Sequence, residues 1–327
     1  MAFAATHPSS PGPLGRWLGV AARVALVALV VAFLGVLVHR LDWPRLGHVL
    51  ARARIAPLLL ATALCFACLW AKAISWRVIL APRHRVATAR LFRYAIAAYA
   101  ASALAPVRAG EALRLWALKQ RDGVPVADSA ATAVCEKILD GAAMFALALP
   151  AAWLVPDLPR ALRLTMQLGP LAVAIAIGAL AVAGARAERR GSDAWLARFM
   201  AGMHVLRSPR RALAAFGALL AAWAIDLAMV ELVLYAVGTP LPPATAFIVL
   251  LAINLAIAVP TTPAQVGVHE AGAIAGLSLF HVPAEPAVAF ALLYHALQII
   301  LLVAVGLALE WRLVIHAPGH VPAHAPR

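Results

Sequence analysis

Long apolar runs separated by short arginine-rich segments set the pattern of this chain. A helix that crosses a bilayer needs about 20 predominantly apolar residues. Six runs meet that length: Val20–Val38, Ile55–Leu80, Ala130–Val155, Leu164–Ala183, Leu213–Val237 and Ala287–Leu309. Three apolar runs do not. As helices, Ala95–Val107 reaches roughly 20 Å, and Ala244–Val259 and Gly267–Phe280 roughly 24 and 21 Å, against about 30 Å of hydrocarbon. Each short run borders a stretch that breaks helices. One is Pro106-Val107-Arg108-Ala109-Gly110-Glu111-Ala112-Leu113-Arg114, and the other is Pro260-Thr261-Thr262-Pro263-Ala264-Gln265-Val266-Gly267-Val268-His269-Glu270. The pattern predicts two re-entrant hairpins, each a half-helix in, a break, and a return on the same side. Between the first two spans, His39–Arg54 sets Arg40, Arg45, Arg52 and Arg54 among Leu41, Trp43, Leu46, Val49 and Leu50. That spacing predicts an amphipathic helix lying on the membrane surface.

These elements describe an all-α polytopic membrane protein with about six spanning helices and two re-entrant hairpins. Composition agrees, since 64% of the 327 residues are hydrophobic and the mean hydropathy is +0.88, beyond a soluble domain. The net charge of +14 points to an anionic leaflet and away from nucleic acid, because no basic domain lies outside the apolar runs. No small-residue cleavage site follows the first run, so a retained helix is expected there. With the basic loop Gly184–Arg211 in the cytoplasm, eighteen lysines and arginines fall inside and six outside, which predicts cytoplasmic termini.

The order span, hairpin, span then occurs twice, and the two hairpins enter from opposite sides. That is the plan of an inverted repeat, common in alternating-access transporters. The chain divides accordingly into a tail (1–19), a first span with its interfacial helix (20–54), repeat 1 (55–155), a linker span and basic loop (156–212), repeat 2 (213–310) and a C-terminal tail (311–327).

Candidate chemistry concentrates at the breaks. Arg108, Glu111 and Arg114 recur every three residues around Gly110 and would share one helix face. Charge inside a membrane is expensive and marks a pathway or a paired site. An Arg–Glu–Arg set keeps one net positive charge, which suits a phosphate because a guanidinium forks onto two oxygens. The same residues also read as an interfacial helix start with local salt bridges. Glu136, Lys137 and Asp140 form a second set, with the two carboxylates four apart. They either neutralise Arg108 or Arg114 across the hairpin, or carry protons or cations. In the second hairpin Thr261, Thr262 and Gln265 offer uncharged donors, and Asn254 lies ahead of them to satisfy freed backbone groups. A half-helix starting near Gln265–Gly267 would aim free N–H groups at an anion, and Glu270 would take an arginine. No nucleophile–base arrangement, phosphate-cradling glycine loop or metal quartet is found, so no catalytic residue, metal or cofactor is assigned. Cys65, Cys68 and Cys135 read as small buried hydrophobes, and His316, His320 and His324 as part of a solvated tail.

Three motifs in order carry a resemblance: Pro106-x-Arg108-x-Gly110-Glu111-x-x-Arg114, Glu136-Lys137-x-x-Asp140, and Pro260-x-x-Pro263 with Gly267-Val268-x-Glu270. Together they resemble the flippase-like membrane region of lysylphosphatidylglycerol synthases, over about Ile55–Leu309. The resemblance implies movement of a lipid with a polar, often phosphate-bearing head group between the leaflets of a bacterial inner membrane. It implies Arg108, Glu111, Arg114, Glu136, Asp140 and Glu270 as the site. An anionic lipid is the expected partner, and stand-alone relatives in hopanoid or glycolipid pathways leave a lipid-synthesising enzyme open as a second. One departure stands out: relatives usually show glycines where this chain has Ala264-Gln265, which predicts a looser second hairpin. No extramembrane segment is longer than Gly184–Arg211, too short for the soluble aminoacyl-transferring domain of the synthases. Two other readings stay open. One is the membrane subunit of a lipid-modifying transferase, and the other is a small-solute secondary transporter that couples through Glu136, Asp140 and Glu231.

Overall fold

The computed structural model describes residues 41–81, 83–104, 109–156, 158–189, 201–258 and 262–315, together with Gly35, His39 and Phe199. Almost all of the expected first span Val20–Val38, the tail segments 1–19 and 316–327, residues 190–198 and 200 of the Gly184–Arg211 loop, and the hairpin residues Pro106, Arg108, Pro260 and Thr261 lie outside them. Among the described residues all regular structure is helical: α1 (Trp43–Ala51), α2 (Ile55–Leu80), α3 (Thr88–Leu104), α4 (Ala109–Asp122), α5 (Val126–Leu154), α6 (Arg160–Arg189), α7 (Pro209–Ala236), α8 (Pro243–Ile257), α9 (Val268–Ser278) and α10 (Ala284–Ile315). Five of these, α2, α5, α6, α7 and α10, are long and apolar enough to cross a membrane. The protein is an all-α, multi-pass membrane protein.

Local sequence explains where the helices stop. Asp42 caps α1 by accepting from the Arg45 backbone N–H at 3.0 Å. Pro209 and Pro243 open α7 and α8 at a position where a missing N–H costs nothing. Gly123 closes α4 with φ +65°, which lets the Val124 N–H turn back to the Leu118 carbonyl at 3.1 Å.

Helices run further than hydropathy predicts. The arm expected to start at Ala95 starts at Thr88, which winds Arg90 and Arg93 into its first turns. There Arg90 pairs with Asp122 at 2.5 Å and Arg93 with Glu310 at 2.7 Å. Charged residues end an apolar run but not a helix, because their heads reach the interface while the backbone continues. The surface helix is shorter than expected, covering Trp43–Ala51 of His39–Arg54, and it buries Leu46.

The ends of α2 and α7 fix their relative direction. The Arg54 N–H, just ahead of α2, donates to the carbonyl of Ala236, the last residue of α7, at 3.0 Å. At the other end the Ala81 carbonyl accepts from His204 at 2.6 Å, in the 3₁₀ turn that precedes α7. The two helices are therefore antiparallel. Small residues let them approach: Ala61 and Cys65 are buried on one, Ala215 and Ala222 on the other, and the Cys68 thiol reaches the Ala222 carbonyl at 3.5 Å. The hairpin α3–α4 follows α2 and the hairpin α8–α9 follows α7, so the hairpins open from opposite ends. Each first arm also lies along the closing span of the other repeat, α3 on α10 and α8 on α5. These exchanges are what an inverted repeat requires. Helix α6 stands outside that exchange and leaves Leu168, Leu171 and Ile175 exposed, a lipid-facing surface.

Candidate functional site

Neither hairpin is long enough to cross. By rise per residue α3 and α4 span roughly 26 and 21 Å, and α8 and α9 roughly 23 and 17 Å, each below about 30 Å of hydrocarbon. The 3₁₀ turn Pro263–Gln265 of the second hairpin rests against α3 of the first. Between the hairpins lies a cavity of about 500 Å³. Of the residues expected to form a site, Gly110, Glu111, Arg114, Glu136, Lys137, Asp140, Thr262 and Gln265 line it. Gly267 and Glu270 stand behind its wall, and Arg108 and Thr261 lie outside the described residues.

The first hairpin is closed by a glycine contact and charged at its tip. The Gly110 N–H donates to Ser102 Oγ at 3.1 Å, and a Cβ there would collide with the Ala98 carbonyl. Any larger residue would push α4 off α3. One turn on, Arg114 forks onto Glu136, its two terminal nitrogens donating to the two carboxylate oxygens at 3.2 and 2.5 Å. The guanidinium face lies 3.9 Å from the centre of the Trp76 ring, so its position is fixed in three directions. Glu111 does not share Arg114. It faces Lys137 at 3.4 Å, in a pair whose side chains are 46% and 64% exposed.

Deeper in the cavity, two carboxylates are each held by an aromatic donor. Asp140 accepts from the indole N–H of Trp223 at 3.1 Å, and Asp226 from the Tyr294 hydroxyl at 2.6 Å. Lys72 lies 5.8 Å from the Trp223 ring centre and within electrostatic reach of both. Lys137 turns toward Glu111, while Lys72 arrives at the two carboxylates from α2. Glu231 does not line the cavity.

The second hairpin is neutral at its tip and is clasped from behind. Ala264 and Gln265 carry φ values of 52° and 61°, left-handed backbone that non-glycine residues adopt at a cost of roughly 1–2 kcal/mol each. The turn that glycines usually make is thus kept without them. His295 on α10 secures it, with Nε2 at 3.0 Å from the Ala264 carbonyl and Nδ1 at 2.5 Å from Glu270 Oε1. The second oxygen of Glu270 accepts from the Gly267 N–H at 2.6 Å. Glu270 therefore takes a histidine and a helix start in place of the expected arginine. The N-terminus of α9 is filled by the chain's own carboxylate, which leaves that end no vacancy for a substrate anion. Asn254 satisfies its own helix, donating to the Leu250 carbonyl at 2.9 Å, and Thr262 closes the turn onto the Val266 carbonyl at 2.9 Å.

His269, Glu270 and His295 bring ligating atoms within 4.8 Å of one another. The His269 and His295 imidazoles stack at 4.1 Å and 8°, and both nitrogens of His295 are engaged, by Glu270 and by the Ala264 carbonyl. Lys72, Trp76, Tyr99, Trp223, Asp226, His269, Tyr294 and His295 also line the cavity, though no sequence motif marks them. The available signal was a titratable residue inside an apolar run, which for Lys72, Asp226 and His295 marks the wall of a cavity.

The sequence model of a family described as Lysylphosphatidylglycerol synthase TM region matches residues 20–306. The chain belongs to that family. No curated protein and no solved structure matches it.

Proposed function

We propose that this member of the lysylphosphatidylglycerol synthase transmembrane-region family moves a phosphate-bearing membrane lipid between leaflets. Its head group would cross through the cavity between the hairpins while the acyl chains stay in the bilayer. The observation that carries this reading is the cavity itself. A space of about 500 Å³, lined by ionic, polar and apolar side chains among spanning helices, is walled by two broken elements that open from opposite ends. A head group costs too much to pass through hydrocarbon, and here ionic and hydrogen-bonding side chains replace its water.

The wall of Leu69, Leu250, Ile253, Ile257 and Ile299 around those polar groups is suited to an amphiphile more than to a fully hydrated solute. The positive balance of the connecting segments supports a bacterial cytoplasmic membrane with both termini inside. The test has two parts. Lipids co-purified in detergent are identified by headgroup-resolved mass spectrometry. The enriched class, carrying a headgroup label, is then followed across proteoliposome membranes by quenching from outside. Transfer of a phosphate-bearing lipid above protein-free vesicles supports the proposal, and transfer equal to the blank overturns it.

A further inference from the structure

We infer that Lys72, which no motif marks, is the residue that receives the head group's anionic oxygen, and that the site accepts a monoanionic phosphodiester in preference to a dianion. The inference rests on the transport reading above and deepens it.

The argument begins with which cations are free to bind. Among the described residues that line the cavity, the arginine and lysine side chains are Arg114, Lys137 and Lys72. Arg114 is forked onto Glu136 with one face against Trp76, so a phosphate would have to displace a bidentate partner to use it. Lys137 is paired with Glu111. Lys72 has neither an ion pair nor a hydrogen bond among the described residues, although it sits in a spanning helix. An ammonium has three donors and no acceptor, and in this setting all three are unspent. Asp140 and Asp226 act on it electrostatically without an ion pair, and one oxygen of each is held instead by Trp223 or Tyr294. The chain thus keeps an ammonium without an ion pair in a membrane cavity, beside two carboxylates that are each held by another donor. That is the arrangement a bound oxyanion would complete.

The same two carboxylates set the charge class. They lie near enough to Lys72 to act on its charge, so further negative charge placed on Lys72 is repelled by these carboxylates wherever they are ionised. A phosphodiester brings one charge and two free oxygens for the three donors. A phosphomonoester brings up to a second charge at neutral pH and loses more to that repulsion.

The chain holds three lysines, Lys72, Lys119 and Lys137, which makes the test direct. Purified protein in detergent is treated with an amine-acylating reagent, and modification at each lysine is read by peptide mass spectrometry. The reaction is run with and without dihexanoyl phosphatidylglycerol, dihexanoyl phosphatidic acid, or dihexanoylglycerol, which lacks phosphate. Phosphatidylglycerol should slow acylation of Lys72 at least fivefold while exposed Lys119 reacts unchanged. Phosphatidic acid should need a severalfold higher concentration, and dihexanoylglycerol should protect nothing. Unchanged Lys72 acylation with phosphatidylglycerol overturns the assignment, and equal protection by phosphatidic acid overturns the charge preference. In the transfer assay K72M should lower the rate at least tenfold with Tm unchanged or raised, since no ion pair is lost, and K72R should keep a measurable part of it. Protection of Lys72 in a protein that transfers no lipid would support the anion site and overturn the transport reading. Wild-type transfer by K72M would overturn the site and leave transport standing.

Discussion

The two hairpins have the same plan and opposite chemistry. Both are short helices joined by a break, and both are held together by glycine. Gly110 lets α4 onto α3. Gly272 and Gly276, four apart on α9, let it onto α8, where a Cβ on Gly272 would lie 2.7 Å from Ala256 Cβ. Their tips then diverge. The first faces the cavity with Glu111, Arg114 and their partners on α5. The second faces it with Thr262, Ala264 and Gln265, and the contact of its Glu270 with His295 serves the fold of the turn. The comparison teaches that an inverted repeat supplies two equivalent openings, while side chains decide which half binds and which half is shaped. In this chain the ionic side chains that face the cavity come from the first hairpin, α2, α5 and α7, and the second hairpin contributes a shaped, uncharged turn.

The comparison can be broken first at Arg114. Arg114→Ala leaves Glu136 almost buried without a partner, and stranding one member of a buried pair costs about 3–5 kcal/mol. Detergent melting temperature and lipid transfer should fall together. Wild-type melting would show that the pair does not hold the hairpin to α5. In the second hairpin His295→Ala removes one contact from Glu270 and one from the Ala264 carbonyl. A buried group left unsatisfied costs about 1–3 kcal/mol, so Tm should drop less than in Arg114→Ala. Hydrogen exchange should rise at 262–268 and stay flat in α4, and a uniform rise would deny that the clasp is local.

Smaller changes sharpen the contrast. Gln265→Gly relieves left-handed strain and should raise stability by about 1 kcal/mol, an upward Tm shift of a few degrees at most. A lower Tm would mean that the glutamine side chain matters more than its backbone. Glu111→Gln breaks a half-exposed pair worth about 0.2–1 kcal/mol. Tm should barely move, unlike in Arg114→Ala on the same helix, and a large drop would make Glu111 an equal partner in the lock.

Much of this was legible along the chain. Run lengths separated spans from hairpins, because the bilayer imposes a fixed length on anything that crosses. Proline and glycine located both breaks. The sequence offered Arg108 or Arg114 as partners for the Glu136–Asp140 set, with a proton or cation path as the alternative, and it could not tell whether Arg114 or Lys137 would turn to Glu111. Tertiary chemistry stayed hidden where partners come from distant helices. His295 lies 25 residues beyond Glu270 in an unremarkable apolar run, and only the packing of α10 behind the turn makes it a clasp. Lys72 lies within the apolar run Ile55–Leu80, and the contact of α2 with the first hairpin puts it in the cavity wall. Ala264-Gln265 suggested a loosened turn, whereas the His295 contact holds the left-handed backbone that glycine would adopt freely.

The central claim is that the head group passes between the hairpins, and a blocking experiment tests it most directly. Cys65, Cys68 and Cys135 are replaced by alanine, and a single cysteine is placed at Gln298, which lines the cavity, or at Leu171 on the lipid-facing side of α6. Each protein is reconstituted, treated with a charged methanethiosulfonate reagent, and assayed for transfer of a headgroup-labelled phospholipid. Labelling at Gln298→Cys should stop transfer and reduction with dithiothreitol should restore it, while labelling at Leu171→Cys should change nothing. Undiminished transfer through a labelled Gln298→Cys protein would contradict the account.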